Sequence, residues 1–196
     1  MEKYSILLKN SKLFQGISED EVTSMLACLS AVRRSYAKGE YVFRRGERID
    51  SVAVLLEGSV HIRKEDYWGN LSILNEIGEG ESFGEVYACL GSEEILNNAV
   101  AVKQSEVLLL DVKRILTVCP SACQFHSRLI RNLLSVLALK NKMLTQKLEH
   151  MSKRTTREKL LSYLSEQSQR AGSPVFDIPF NRQQLADFLS VDRSAM

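Results

Sequence analysis

Residues 121–152 read SACQFHSRLIRNLLSVLALKNKMLTQKLEHMS, with no glycine or proline. The spacing predicts one long helix, because nothing in it breaks a helix and apolar residues recur every three or four positions. Ile130, Leu134, Leu137, Asn141, Leu144, Leu148 and Met151 alternate steps of four and three. That is the a/d seam of a coiled coil, a narrow stripe that pairs with an identical stripe. Leu129, Leu133, Val136 and Met143 form a second stripe beside it. A surface helix buries one stripe, so two adjacent stripes predict two partners: a second copy of the chain, and the chain's own preceding domain. Asn141, the polar member of the seam, fits a residue that sets register at some cost in stability. The competing expectation is one long helix packed inside a monomer.

Upstream of this helix the character is different. Gly39, Gly46, Gly58, Gly69, Gly78, Gly80, Gly84 and Gly91 punctuate the chain at short intervals. Between them lie strand-like runs at 41–43, 51–56, 59–63 and 71–77, and after Gly91 at 99–102 and 106–111. Many short strands with turn glycines predict an antiparallel barrel or jelly roll. Val52, Val54 and Leu56 alternate as for one face on a core. Tyr67-Trp68-Gly69-Asn70 reads as a hairpin tip. Residues 4–30 read as short helices, with Ser18 and Glu21 as a capping box. Phe83-Gly84-Glu85 reads as a glycine turn into a short helix. The first amides of such a helix offer an anion pocket, and a carboxylate beside them can take a hydroxyl.

Downstream, residues 150–155 break the heptad and read as a hinge. Residues 156–167 read as a helix with Leu160, Leu161 and Leu164 on one face. Gly172-Ser173-Pro174 reads as a turn, and 175–180 alternates like a short strand. Asn181 is placed to cap a helix over 182–189, Ser190-Val191-Asp192 reads as a tight turn, and Arg193 as the start of another helix that ends about one turn in, at Met196.

Charge divides the chain. Residues 1–118 hold 14 Lys and Arg against 18 Asp and Glu, whereas 119–196 hold 12 against 6. A basic rear points to a polyanionic partner. Cys28, Cys89, Cys119 and Cys123 have no framework spacing, which predicts free, buried structural thiols in a reducing compartment. Residues 1–14 lack the apolar core of a signal peptide, and no apolar run approaches 18 residues, so the expected location is cytoplasmic, without membrane contact. His61, His126 and His150 are far apart, with no ligand spacing, and Cys119-x3-Cys123 lacks the companions of a cluster site, so no metal is expected. No Ser/His/Asp or Cys/His signature supports catalysis, and the chain is read as a non-enzyme.

The pieces in this order resemble the catabolite activator protein / FNR-type (Crp/Fnr) family of bacterial transcription regulators. The motifs that carry the resemblance are Lys38-Gly39-Glu40, Gly46, Glu57-Gly58-Ser59-Val60, Gly78 to Gly80, Phe83-Gly84-Glu85, the long helix, and Pro179-Phe180-Asn181-Arg182-Gln183-Gln184-Leu185-Ala186. The resemblance implies an α+β chain. Residues 1–120 would be an effector-sensing β-barrel (jelly roll) of cyclic-nucleotide-binding type, 121–152 a dimerisation helix, and 153–196 a winged helix-turn-helix incomplete in its recognition helix. It also implies a homodimer that docks on a palindromic operator in double-stranded DNA, with RNA polymerase as a further candidate partner.

Gly84 and Glu85 match the start of the family's phosphate cassette, but Asn97-Asn98-Ala99 stands where the family has Arg-Ser-Ala. Asparagine carries no charge and cannot replace a bidentate guanidinium. A charge-assisted contact is worth roughly 1.5–3 kcal/mol, so its loss weakens phosphate affinity by about one to two decades. The expected effector is therefore an unidentified small molecule other than a cyclic nucleotide, held by Gly84, Glu85, Val86, Asn97, Asn98 and, from the long helix, Asn141. Expected DNA contacts are Asn181, Arg182 and Gln183 at the start of the first motif helix, and Arg193 and Ser194 at the reading helix. The expected dimer interface is Ile130, Leu134, Leu137, Asn141, Leu144, Leu148 and Met151. The alternative function is a ligand-binding module acting through protein contacts without DNA.

Overall fold

A computed structural model describes residues 4–65, 71–117, 124–178 and 180–196. The hairpin tip expected at 67–70, Cys119 and Cys123, and Pro179 lie outside the described residues. The chain divides into two compact units, Met1–Leu137 and Ala138–Met196.

The first unit opens with α1 (Ser5–Asn10), a single 3-10 turn, and α2 (Glu19–Cys28). Ser18 and Glu21 cap α2 reciprocally, as expected: the Glu21 amide donates to Ser18 Oγ and the Ser18 amide to the Glu21 carboxylate. Eight strands follow: β1 (Val32–Tyr36), β2 (Tyr41–Phe43), β3 (Ser51–Glu57), β4 (Val60–Glu65), β5 (Leu71–Ile77), β6 (Ser82–Phe83), β7 (Asn98–Ala101) and β8 (Ser105–Asp111). Between β6 and β7 lies α3 (Glu85–Leu90); α4 (Val112–Leu116) follows β8, and α5 covers Gln124–Met151.

The strands form two antiparallel four-stranded sheets, ordered β1-β8-β3-β6 and β2-β7-β4-β5. This is the expected jelly roll, but no strand pair joins one sheet to the other among the described residues, so it is a double sheet rather than a closed barrel. β1 and β6 escape notice in the sequence because Val32-Arg33-Arg34-Ser35 is exposed on both faces and β6 is only two residues long.

Val52, Val54 and Leu56 do share a face, yet Ala53 and Leu55 between them are also fully buried. Ala53 and Leu55 point into a core between the sheets with Phe43, Val60, Phe83, Ala99 and Val107. Val52, Val54 and Leu56 point the other way, into a core shared with α1, α2, α4 and the Leu129–Leu133 stretch of α5. β3 is thus covered on both sides, which makes it an unbroken apolar run.

The second unit contains the C-terminal part of α5 with α6 (Thr156–Ala171) and α7 (Arg182–Leu189). α6 runs four residues beyond the expected end at 167 and stops at Gly172, whose left-handed φ of 61° caps it. Its buried face is Tyr163 with Leu160 and Leu164; Leu161, expected on that face, is 55% exposed. Residues 175–178 form no strand: nothing among the described residues pairs with them, and Val175 is 83% exposed. A strand without a ladder partner has no backbone bonds to hold it.

Candidate effector, dimer and nucleic-acid sites

In the first unit, Gly84 turns the chain from β6 into α3 with φ +79°. A Cβ there would sit 2.8 Å from Phe43 Cε2 and 3.0 Å from Ile49 Cδ1. Glu85 is buried, and Ser82 Oγ donates to its Oε1 at 3.5 Å. Val86 is half-exposed. Asn97 and Asn98 are partly buried, and Asn98 Oδ1 accepts from the Arg45 amide at 2.8 Å. The neighbouring loops are laced by Gly46 N–H to the Ile95 carbonyl at 2.8 Å and Ile95 N–H to the Glu47 carbonyl at 2.9 Å. Phe43 connects the two halves of the cassette. It stands opposite Ala99 in the β2–β7 register and lies against Gly84.

Space between the sheets at this point is filled by aromatic rings. Phe43 and Phe83 meet edge to face at 5.7 Å, both inside the inter-sheet core. Two cations not singled out in the sequence, Arg44 and Arg63, approach the Tyr41 ring at 4.5 and 5.9 Å. Arg63 is also the register partner of Asn98. A separate pocket of about 390 Å³ lies at the C-terminal end of α3, lined by Ile49, Ala88, Cys89, Val112 and Leu116 with Arg48 and Lys113. The Cys89 thiol is pushed above its ordinary pKa by burial and then by the Glu85 charge. Cys28 is exposed, contrary to the expectation of buried thiols, because it ends α2 on the side away from its apolar face.

α5 carries its two stripes differently. Leu129, Leu133 and Val136 are buried in the first unit, whereas Met143, expected in the same stripe, is 57% exposed. The other stripe is open: Leu134, Leu144 and Leu148 are 62–64% exposed, Asn141 is exposed, and Met151 is half-buried. Ile130 and Leu137 pack partly against the first unit's core. Polar ties hold the start of α5 to the N-terminal helices: Asn132 Nδ2 donates to the carbonyls of Leu13 and Gln15 at 3.0 and 2.9 Å, and Arg128 donates to that of Gly16.

In the second unit, Thr155 and Glu158 cap α6 reciprocally, and these bonds hold the Glu158 carboxyl below its ordinary pKa. α7 begins at the expected residue. The Gln184 amide donates to Asn181 Oδ1 and the Asn181 amide to Gln184 Oε1, both at 2.9 Å. α7 ends at Ser190 with φ 51°, the tight turn expected there. Lys159 Nζ donates to the carbonyls of Leu189 and Ser190 at 3.4 Å, a cation at a helix C-terminus. Phe180 and Phe188 stack at 5.1 Å, with Tyr163 5.6 Å from Phe188.

Among the residues expected at DNA, Arg182 and Arg193 are exposed. Asn181 uses its side chain for the cap, Gln183 Nε2 donates to Asp187 Oδ1 at 2.9 Å, and Ser194 donates from both N and Oγ to Asp192 Oδ1 at 2.8 Å. Those two bonds hold the Asp192 carboxyl below its ordinary pKa. Residues 193–195 form a single turn rather than a helix. Among the described residues, no group of three His, Cys, Asp or Glu could hold a metal, and no helix is long and apolar enough to cross a membrane.

Residues 33–121 match the cyclic nucleotide-binding domain family. The cyclic AMP receptor protein of Thermus thermophilus is 32% identical over 103 residues, which are 53% of this chain and 46% of that protein. Human cGMP-dependent protein kinase 2 is 25% identical over 114 residues, 58% of this chain and 14% of the kinase. The chain thus spans less than half the length of either relative. The crystal structure of the Thermus thermophilus catabolite activator protein superposes with a TM-score of 0.55 and 25% identity, covering 94% of this chain and 83% of that one. Similarity to that structure therefore extends past residues 33–121.

Proposed function

We propose that the chain is a homodimeric DNA-binding transcription regulator of Crp/Fnr type, controlled by a small effector other than cyclic AMP. The observation that carries this reading is the open apolar stripe on α5. Leu134, Leu144 and Leu148 are each more than 60% exposed at seam positions, beside a second stripe whose Leu129, Leu133 and Val136 are buried. A long helix with a bare Leu seam calls for a matching helix.

The second unit supports the DNA-reading part: a net positive charge, a capped α6 and α7 around an aromatic core, and a tight turn leading to exposed Arg193. In this reading Arg182 and the first amides of α7 hold phosphate, and Arg193 reaches a base edge. The palindromic operator follows from the dimer's two-fold symmetry, and RNA polymerase is the partner such a regulator would engage. The cassette supports the effector part. Gly84 and Glu85 keep the family turn, but no arginine stands at 97 or 98, Asn98 is committed to Arg45, and Phe43 and Phe83 fill the adjoining core. Gly84, Glu85, Val86 and Asn97 remain the residues to which an effector is assigned.

The test is fluorescence anisotropy with duplex DNA across a salt series. The expected result is binding whose logarithm falls linearly with log salt, by about 0.9 per phosphate neutralised, unchanged by 1 mM (roughly saturating for any Kd in the micromolar range) cyclic AMP. Absence of salt-dependent binding overturns the DNA-reading part and favours a module acting through protein contacts. A large cyclic AMP effect overturns the effector part.

A further inference from the structure

The two ends of α3 have different surroundings. Its start follows the Gly84 turn of the cassette, and its end, from Ala88 to Gly91, borders the pocket of about 390 Å³. The Ala88 amide donates to the Gly84 carbonyl at 3.0 Å and the Gly91 amide to that of Tyr87 at 2.9 Å, so this short helix ties turn and pocket together. Ile49 spans the same interval. Its Cδ1 lies 3.0 Å from where a Gly84 Cβ would stand, and its side chain also lines the pocket. The opposite wall is Val112, Lys113 and Leu116 of α4. That wall is held to the loop before β3 by the Val112 amide, which donates to the Asp50 carbonyl at 2.8 Å.

The pocket has the make-up of a ligand site. Protein interiors leave few voids larger than a water molecule. Pockets for small molecules begin near about 300 Å³, with mostly apolar walls and a few polar groups. Here Ala88 and Val112 are buried, Ile49 and Cys89 are half-buried, and Leu116 leaves an apolar side chain 48% exposed. Charge sits at the mouth, where Arg48, Asp50 and Lys113 are exposed. Asp50 Oδ1 accepts from Ser51 Oγ at 2.9 Å. Among the described residues, the side chains of Arg48 and Lys113 have no hydrogen-bond or ion-pair partner. Two cations against one carboxylate leave the mouth net positive above an apolar floor.

We propose that this pocket is a second small-molecule site, separate from the cassette, which takes an amphipathic organic anion. Its carboxylate pairs with Arg48 and Lys113, and its compact apolar body sits against Ile49, Ala88, Val112 and Leu116. Both halves of the ligand are needed. A bare hydrocarbon leaves the two cations unused, and a small inorganic anion leaves the apolar wall in water. Ile49 gives the occupant a packed path to the Gly84 turn, so filling the pocket biases the shape of the cassette.

Cys89 stands in the wall and reports occupancy. The whole chain is treated with N-ethylmaleimide, and modification of Cys89 is followed by peptide mass spectrometry against that of exposed Cys28. The probe is 4-phenylbutyrate, with 4-phenylbutyramide as its neutral counterpart. The measurement involves neither DNA nor a cyclic nucleotide, so its failure is distinct from that of the proposed regulator. At about 5 mM the carboxylate is expected to slow Cys89 modification about sixfold, because a site with a Kd of about 1 mM then stays open in roughly one molecule in six. The amide, without a charge-assisted contact, slows it less than about twofold, and Cys28 is unaffected by either. In the double variant Arg48→Gln, Lys113→Gln, protection by the carboxylate falls to the level of the amide. Unprotected Cys89 in the native chain, equal protection by carboxylate and amide, or protection that survives in the double variant overturns the proposal.

Discussion

Replacing Gly58 by alanine is expected to lower the thermal midpoint of the first unit by about 10 °C, an effect of about 3 kcal/mol. Gly58 turns β3 into β4 with φ +108°, where an L side chain is strained. A Cβ at that position would come within 2.7 Å of Ser105 Cα and closer still to its hydroxyl oxygen. Ser105 cannot retreat: it is buried at the start of β8, and its Oγ accepts from the Ser59 amide at 3.3 Å while donating to the Lys103 carbonyl at 2.9 Å. Gly91→Ala is the control. It has a similar left-handed φ of +67° with nothing within 4 Å of the added methyl, and should lose only about 1 kcal/mol. Calorimetry on both variants separates strain from crowding, and equal losses would contradict the close approach of β8.

The double variant Leu144→Glu, Leu148→Glu is expected to raise the dimer dissociation constant at least about a thousandfold. Each leucine buried in a seam contributes roughly 1.5–3 kcal/mol, and a symmetric pair of helices contributes each residue twice. Both side chains are more than 60% exposed in the protomer, so the substitutions remove nothing from its own core. Thermal unfolding of the separated protomer should therefore keep its midpoint while sedimentation shows the association lost. A dimer that survives both glutamates would place the interface elsewhere.

Much of the architecture is legible in the sequence because local rules and tertiary packing agree. The Ser18, Thr155 and Asn181 caps fall where short polar side chains precede a helical period, although the broken heptad around Thr155 reads as a hinge. Turn glycines mark most strand ends. What escaped did so for physical reasons. β1 lacks an apolar face, and Tyr163 is buried by an aromatic cluster assembled from α6, α7 and Phe180, which no local period announces. The stretch at 175–178 alternates without a partner to pair with. The contact of His150 Nε2 with Glu166 has no local signal, because its members come from two helices and an isolated histidine carries no spacing pattern. The candidate effector site is legible only as a motif. Its turn stands at Gly84 as expected, while the Phe43 ring that fits against it comes from a strand 41 residues earlier.

Pairing of two copies along α5 underlies the proposed regulator, and sedimentation equilibrium of the unmodified protein at micromolar concentration tests it most directly. The account predicts a species of twice the 22.2 kDa chain mass. A single 22.2 kDa species across that range, with Leu134, Leu144 and Leu148 open to solvent, would contradict it.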